Sequence, residues 1–120
     1  MCKTIMLVDD SASVRKVLRM MFEAAGYQIA AEFANGADAV QGASKIRPDL
    51  IVLDLSMPVM NGMEAAPLLR QELPTVPIIL FTLFAQALSI QGVQAAGISS
   101  VVAKDAPTSK LIATVEELLH

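Results

Sequence analysis

Cysteine occurs once in the chain, at Cys2, and histidine once, at His120. A single cysteine excludes an internal disulfide and fits a reducing compartment. Neither residue belongs to a His/Cys cluster of the kind a zinc site uses. Charge is also scarce. Asp, Glu, Lys and Arg make up 18% of the 120 residues, below the roughly 25% usual for soluble domains, and residues 73–103 contain none of them. Either Gln86, Ser89, Gln91, Gln94, Ser99 and Ser100 supply enough polarity there, or the stretch meets a partner. No basic cluster offsets the net charge of -3, from 9 Lys plus Arg against 12 Asp plus Glu, so direct binding to a phosphate backbone is not expected. Long apolar runs are missing as well. The apolar stretches are strand-sized and broken by Asp, Pro, Gly or Gln, well short of the roughly 20 residues a membrane helix needs, and no charged leader precedes an apolar core. These absences predict one cytoplasmic domain over residues 1–120, with no membrane contact.

The residues that are present alternate between two periodicities. Residues 4–8 form an apolar run (β1), and Ser11 or Asp10 then caps a helix (α1) with Val14, Val17, Leu18, Met21 and Phe22 at helical spacing and Gly26 as its stop. A second strand is predicted over 28–33 (β2), a helix over 35–46 (α2) and a strand over 50–54 (β3). Residues 63–73 read as a helix (α3) with Leu68, Leu69 and Leu73 on one side, and Pro67 predicts a kink or a later start. Strand 77–81 (β4), a helix over 86–95 (α4) ended by Gly97, and strand 100–103 (β5) follow. Asp105 and Pro107 open a last helix (α5) whose inner face carries Leu111, Ile112, Val115, Leu118 and Leu119. Five such βα units imply an α/β fold, a parallel sheet with helices on both faces.

The strands end on chemistry. Asp9 and Asp10 follow β1, Asp54 closes β3, Thr82 follows β4 and Lys104 follows β5. In a parallel sheet these positions share one rim, where ligands bind. Taken one at a time each has an ordinary explanation: Asp10 as a cap, Asp54 as an Asx residue, Thr82 as a β-former, Lys104 as a solvated rim residue. Five residues of complementary types at strand ends argue for a site. Two carboxylates about 5 Å apart repel by roughly 3 kcal/mol at an effective dielectric near 20, so three need a counter-charge. Oxygen-only donors favour Mg²⁺, with Mn²⁺ as the alternative, and since Mg²⁺ typically takes one or two carboxylates, Asp9 and Asp10 are the paired holders. Asp54 can then act as a nucleophile toward phosphorus, with Thr82 and Lys104 meeting the phosphoryl oxygens. Met57, Met60 and Met63 are expected to pack rather than react.

With these residues placed, the whole chain resembles the response-regulator receiver domains of two-component signalling, and among them the chemotaxis-regulator type. The resemblance rests on Asp9-Asp10, on Asp54-Leu-Ser-Met-Pro58 with Gly62 beyond it, on Thr82 and on Lys104. It implies a flavodoxin-like, doubly wound five-stranded sheet of order 2-1-3-4-5, the order the receiver proteins are known for. It further implies phosphorylation of Asp54 by a histidine-kinase phosphohistidine or a phosphotransfer protein, and a cation held by Asp9, Asp10, Asp54 and the backbone carbonyl of Ser56. Thr82 and Lys104 would read the phosphate and reshape the α4-β5-α5 face, through which a homodimer could form. Three positions depart from the family pattern. Val101 stands where an aromatic residue is usual, Asp105 rather than proline follows the lysine, and Leu83 replaces a small residue. Phe84, bulky and two places after Thr82, restricts access to the phosphate and, with Ser56, sets its lifetime. Asp105 also tilts the reading toward a DNA-binding output domain beyond residue 120, the one route to nucleic acid.

Two other functions compete. Haloacid-dehalogenase-type hydrolases resemble this arrangement but carry a second aspartate two residues after the nucleophile, where this chain has Ser56. A flavin-binding flavodoxin would cradle a phosphate in the first βα loop, where Asp9 and Asp10 repel it. The expectation is a signalling phosphoacceptor rather than a turnover enzyme.

Overall fold

Near-continuous apolar runs become strands only if both faces of their sheet are covered. In the computed structural model, which describes residues 2–120, β1 (Thr4–Val8), β2 (Gln28–Phe33), β3 (Leu50–Leu53), β4 (Ile78–Thr82) and β5 (Ser100–Ala103) form one parallel sheet of order β2-β1-β3-β4-β5. The helices are α1 (Ala12–Ala24), α2 (Gly36–Ile46), α3 (Gly62–Glu72), α4 (Ile90–Ala95) and α5 (Thr108–Leu119). The α/β architecture is therefore the one the alternating periodicities imply, and the strand order is the flavodoxin-like one that the resemblance implies.

Strand side chains alternate between two cores. Met6, Val8, Ile51, Leu53, Ile78 and Leu80 pack with Ala39, Ala43, Ala65, Ala66 and Leu69 of α2 and α3. Ile5, Leu7, Leu50, Val52, Ile79 and Val102 pack with Leu18 and Phe22 of α1 and Leu111 and Val115 of α5. From β1 the chain winds outward to β2, then returns past β1 to β3 and continues the other way. The direction reverses between β1 and β3, which is where a doubly wound sheet opens a crevice at its carboxyl edge.

Several expectations are corrected. Val17 does not face the core: it is exposed, because the inward stripe runs through Leu18 and Phe22 with Val14 and Met21 at its margins, and Val17 lies outside that arc. Leu68 points out of α3, whereas Leu69 and Leu73 are buried. α3 begins at Gly62 rather than after Pro67, held by a reciprocal cap in which Asn61 Oδ1 accepts from the Glu64 N–H and Glu64 Oε1 from the Asn61 N–H. The segment expected as one helix over 86–95 is split into a 3-10 turn (Ala85–Ala87) and α4, because Leu88 is extended and the Ser89 hydroxyl caps a fresh helix by accepting from the Gly92 N–H. Ser11, not Asp10, caps α1. α5 starts at Thr108 without any side-chain cap from Asp105.

Candidate functional site at the strand ends

The β1–α1 loop is built around Asp9. Its N–H donates to the Phe33 carbonyl at 3.0 Å, extending the β1–β2 ladder by one bond, and its Oδ1 accepts from the Ser11 N–H at 2.9 Å. Arg15, one helical turn after Ser11, donates to the Asp9 backbone carbonyl and pairs through Nε with Glu32 on β2 at 3.2 Å, and Arg19 meets the same carboxylate. The loop is thus tied down from both sides, which leaves Asp9 Oδ2 aimed into the crevice and Asp10 exposed at its mouth.

Across the crevice, the Asp54 N–H donates to the Val8 carbonyl at 2.8 Å, so the carboxylate emerges directly beside the end of β1. The loop after it folds back under Gly62, whose N–H donates to the Leu55 carbonyl at 2.8 Å. A Cβ at Gly62 would fall 2.3 Å from the Asp54 carbonyl oxygen and 3.0 Å from Leu55 Cα, so this approach requires glycine. Asp9, Asp10 and Asp54 each offer an oxygen, and these lie within 4.8 Å of one another.

Lys104 closes the group. Its Nζ lies 2.8 Å from Asp9 Oδ2 and 3.1 Å from Asp54 Oδ1, and 5.8 Å from the centre of the Phe81 ring. Burial, reinforced by the Asp9 charge and more weakly by Asp10, pushes the Asp54 carboxyl above its ordinary pKa despite the Lys104 ammonium. For Lys104, burial opposes the charged form, but the hydrogen bond and charge of Asp9, and then Asp54, outweigh it and raise the pKa. One ammonium against three carboxylates leaves net negative charge in a mostly buried pocket. An all-oxygen donor set of that sign suits a hard divalent cation.

Thr82, fully buried at the end of β4, is tied to the same lysine through the backbone, where the Lys104 N–H donates to its carbonyl at 2.9 Å. Its hydroxyl accepts from the Phe84 N–H at 3.0 Å rather than touching a carboxylate. Ser56 and Phe84 are exposed at the rim. Val101 is half-buried on β5 and lines an open groove of about 260 Å³ with Leu88, Ile90 and Val93 of the α4 side.

A family model described as "Response regulator receiver domain" matches residues 5–116. The chain belongs to that family. It is 30% identical over 119 residues to the chemotaxis protein CheY of Thermotoga maritima, covering 98% of each chain. It is also 30% identical to a protein-glutamate methylesterase/protein-glutamine glutaminase of Archaeoglobus fulgidus, there covering 97% of this chain but 34% of the longer protein. A crystal structure of a two-component response regulator of the LuxR family from Aurantimonas sp. SI85-9A1 superposes with a TM-score of 0.89 at 32% identity, over 99% of this chain and 86% of that one. Receivers of this family thus occur both alone and within larger proteins. No described helix is long and apolar enough to cross a membrane.

Two receiver residues escaped the strand-end pattern. Arg15 holds the Asp9 backbone through its carbonyl, an acceptor that no sequence pattern marks. Phe81 supplies the ring beneath Lys104, and nothing in a strand's apolar run distinguishes it from a core residue.

Proposed function

We propose that this receiver accepts a phosphoryl group on Asp54 from the phosphohistidine of a sensor histidine kinase or phosphotransfer protein, and signals through the resulting change at its α4-β5-α5 face. The observation that carries the reading is the meeting of Asp9, Asp10 and Asp54 within 4.8 Å around Lys104. An Asp54 oxygen attacks phosphorus, the P–N bond breaks, and the imidazole leaves with the electron pair. Mg²⁺, with Mn²⁺ as the substitute, would be held by Asp9, Asp10, Asp54 and the Ser56 carbonyl, and would offset the negative charge of donor and acceptor. Lys104, already within 3.1 Å of Asp54, is placed to contribute its ammonium to the incoming phosphoryl oxygens. Thr82 has a hydroxyl proton to donate to them, since its oxygen serves only as acceptor to Phe84.

The chain acts as a phosphoacceptor, not a turnover enzyme. No carboxylate stands at Ser56 to activate water, and Phe84 at the rim slows access, so loss of the phosphoryl group is slow. Exposed Leu83, Phe84 and Ile90 at the uncharged α4 end suit an apolar contact with a partner or a second copy, and with Val101 in place of an aromatic residue the output runs more through that association than through a ring switch. The setting is cytoplasmic, and DNA is reached only through an output domain outside residues 1–120. Mg²⁺ with beryllofluoride should shift the amide resonances of Asp54, Thr82 and Lys104, and Asp54→Asn should abolish the shifts. Identical spectra with and without the additives would overturn the reading.

A further inference from the structure

Strand β2 carries one residue too many for its neighbour β1. Thr4 and Ile5 pair with Gln28 and Ile29, but Met6, Leu7 and Val8 pair with Ala31, Glu32 and Phe33, so exposed Ala30 is left over as a bulge. An extra residue exchanges the two faces of the strand for everything beyond it. Ile29 packs on the side of α1 and α5, whereas Ala31 and Phe33 pack on the side of α2 and α3, and Glu32 between them is turned toward α1. Both re-aimed residues lead to Asp9. Glu32 pairs with Arg15 at 3.2 Å and, through its other oxygen, with Arg19, and Arg15 donates to the Asp9 carbonyl. The Arg15 and Glu32 side chains are only 18% and 23% exposed, so salt screens this pair weakly. On the opposite face, the Phe33 carbonyl accepts from the Asp9 N–H at 3.0 Å. The Phe33 ring lies against Gly42 in the interior of α2, where a Cβ would fall 2.6 Å from Phe33 Cζ. Glycine is unfavourable inside a helix, and here it gives the ring its place.

We propose that Glu32, acting through Arg15, and Phe33, seated on Gly42, are positioning residues for Asp9: they fix the peptide groups on either side of it, and so the direction of its free carboxylate oxygen. Asp9 Oδ1 is engaged by the Ser11 N–H at 2.9 Å, and a fixed backbone then leaves Oδ2 directed into the crevice. Lys104 Nζ lies there, at 2.8 Å. A loosened Asp9 can turn both oxygens toward that ammonium, and the tighter ion pair then competes with a divalent cation for the same carboxylate. Losing a group that orients a metal-holding side chain typically weakens the metal by about 10–100-fold. The effect on cation affinity rests on the Mg²⁺ site proposed above; the effect on the loop does not. Arg15 separates geometry from simple charge. Removing a positive charge near a Mg²⁺ site strengthens binding if charge alone matters, and weakens it if the guanidinium is what holds Asp9.

Amide resonances of the full chain titrated with Mg²⁺ alone, together with amide hydrogen exchange in EDTA, test both arms. Glu32→Gln and Arg15→Met should each weaken Mg²⁺ about tenfold or more. Both should also accelerate exchange at Ser11, whose N–H reports on the Asp9 carboxylate, while the β4 amides keep their rates. Gly42→Ala should do the same by displacing the Phe33 ring. Combining it with Phe33→Leu, which vacates the Cζ position, should restore both the Mg²⁺ affinity and the protection of Ser11. Tighter Mg²⁺ binding in Arg15→Met, or native affinity in Glu32→Gln, would overturn the Glu32 arm. Native affinity in Gly42→Ala, or a double variant no better than Gly42→Ala alone, would overturn the Phe33 arm. Equal acceleration of Ser11 and the β4 amides would count against both, since it marks a general loss of stability rather than a loosened loop. No Mg²⁺ response in the native chain would instead contradict the proposed function, leaving Ser11 exchange in EDTA to decide the positioning.

Discussion

Replacing Asp54 by asparagine should stabilise the metal-free protein, although it removes the proposed phosphoryl acceptor. Asp54 is buried, with oxygens of Asp9 and Asp10 within 4.8 Å and the Lys104 ammonium at 3.1 Å. At an effective dielectric near 20, a carboxylate 4.8 Å away repels it by about 3.5 kcal/mol and the lysine attracts it by about 5 kcal/mol, and exposed Asp10 repels more weakly than Asp9. The charges thus nearly cancel, and burial tips the balance against the charged form. Asparagine keeps the shape and an acceptor for Lys104, which retains Asp9 as its ion pair. The sign of the pH dependence follows from the raised pKa of Asp54. A carboxyl that holds its proton more tightly folded than unfolded contributes no penalty below the unfolded value of about 4, and stability then falls as pH rises toward the folded value. The asparagine variant should therefore match the native chain near pH 4 and exceed it near neutrality by on the order of 1 kcal/mol, or about 4 °C in melting temperature for a domain of this size. Urea and thermal unfolding in EDTA at the two pH values measure both quantities. A variant no more stable than the native chain at neutral pH, or a gap that does not change with pH, would refute the reasoning.

The same geometry governs two other substitutions. Lys104→Met leaves Asp9 and Asp54 buried without their cation and should cost about 3–5 kcal/mol; Mg²⁺ should restore much of this, so a melting temperature insensitive to Mg²⁺ would count against a shared cation site. Gly62→Ala drives a methyl group into the Asp54 carbonyl and Leu55 Cα, and should destabilise by about 3 kcal/mol in urea titrations while weakening the Mg²⁺ response, because both obstructing atoms belong to the backbone of the acceptor loop.

The strand ends were the most legible part of this molecule. Asp9, Asp54, Thr82 and Lys104 each terminate an apolar run, and a parallel sheet brings such ends to one edge whatever the details of packing. The helix margins were less legible. Val17 sits at helical spacing from Met21 yet lies exposed, because periodicity sets the direction of a stripe but the neighbouring α5 and sheet set its width. The break between the 3-10 turn and α4 depends on one serine hydroxyl and an extended Leu88, a local competition that composition does not reveal. Arg15 and Arg70 were hidden for another reason. Both bind backbone carbonyls, and an acceptor that every residue carries leaves no mark in a sequence.

The central claim, that Asp54 is the phosphoryl acceptor of a cation-dependent site, is tested most directly by mass spectrometry of the intact protein after incubation with acetyl phosphate and Mg²⁺. The account predicts the added mass of one phosphoryl group, borne by the peptide containing Asp54, lost on adding EDTA beforehand, and absent from Asp54→Asn. An unmodified native chain, or equal modification of the native chain and the asparagine variant, would contradict it.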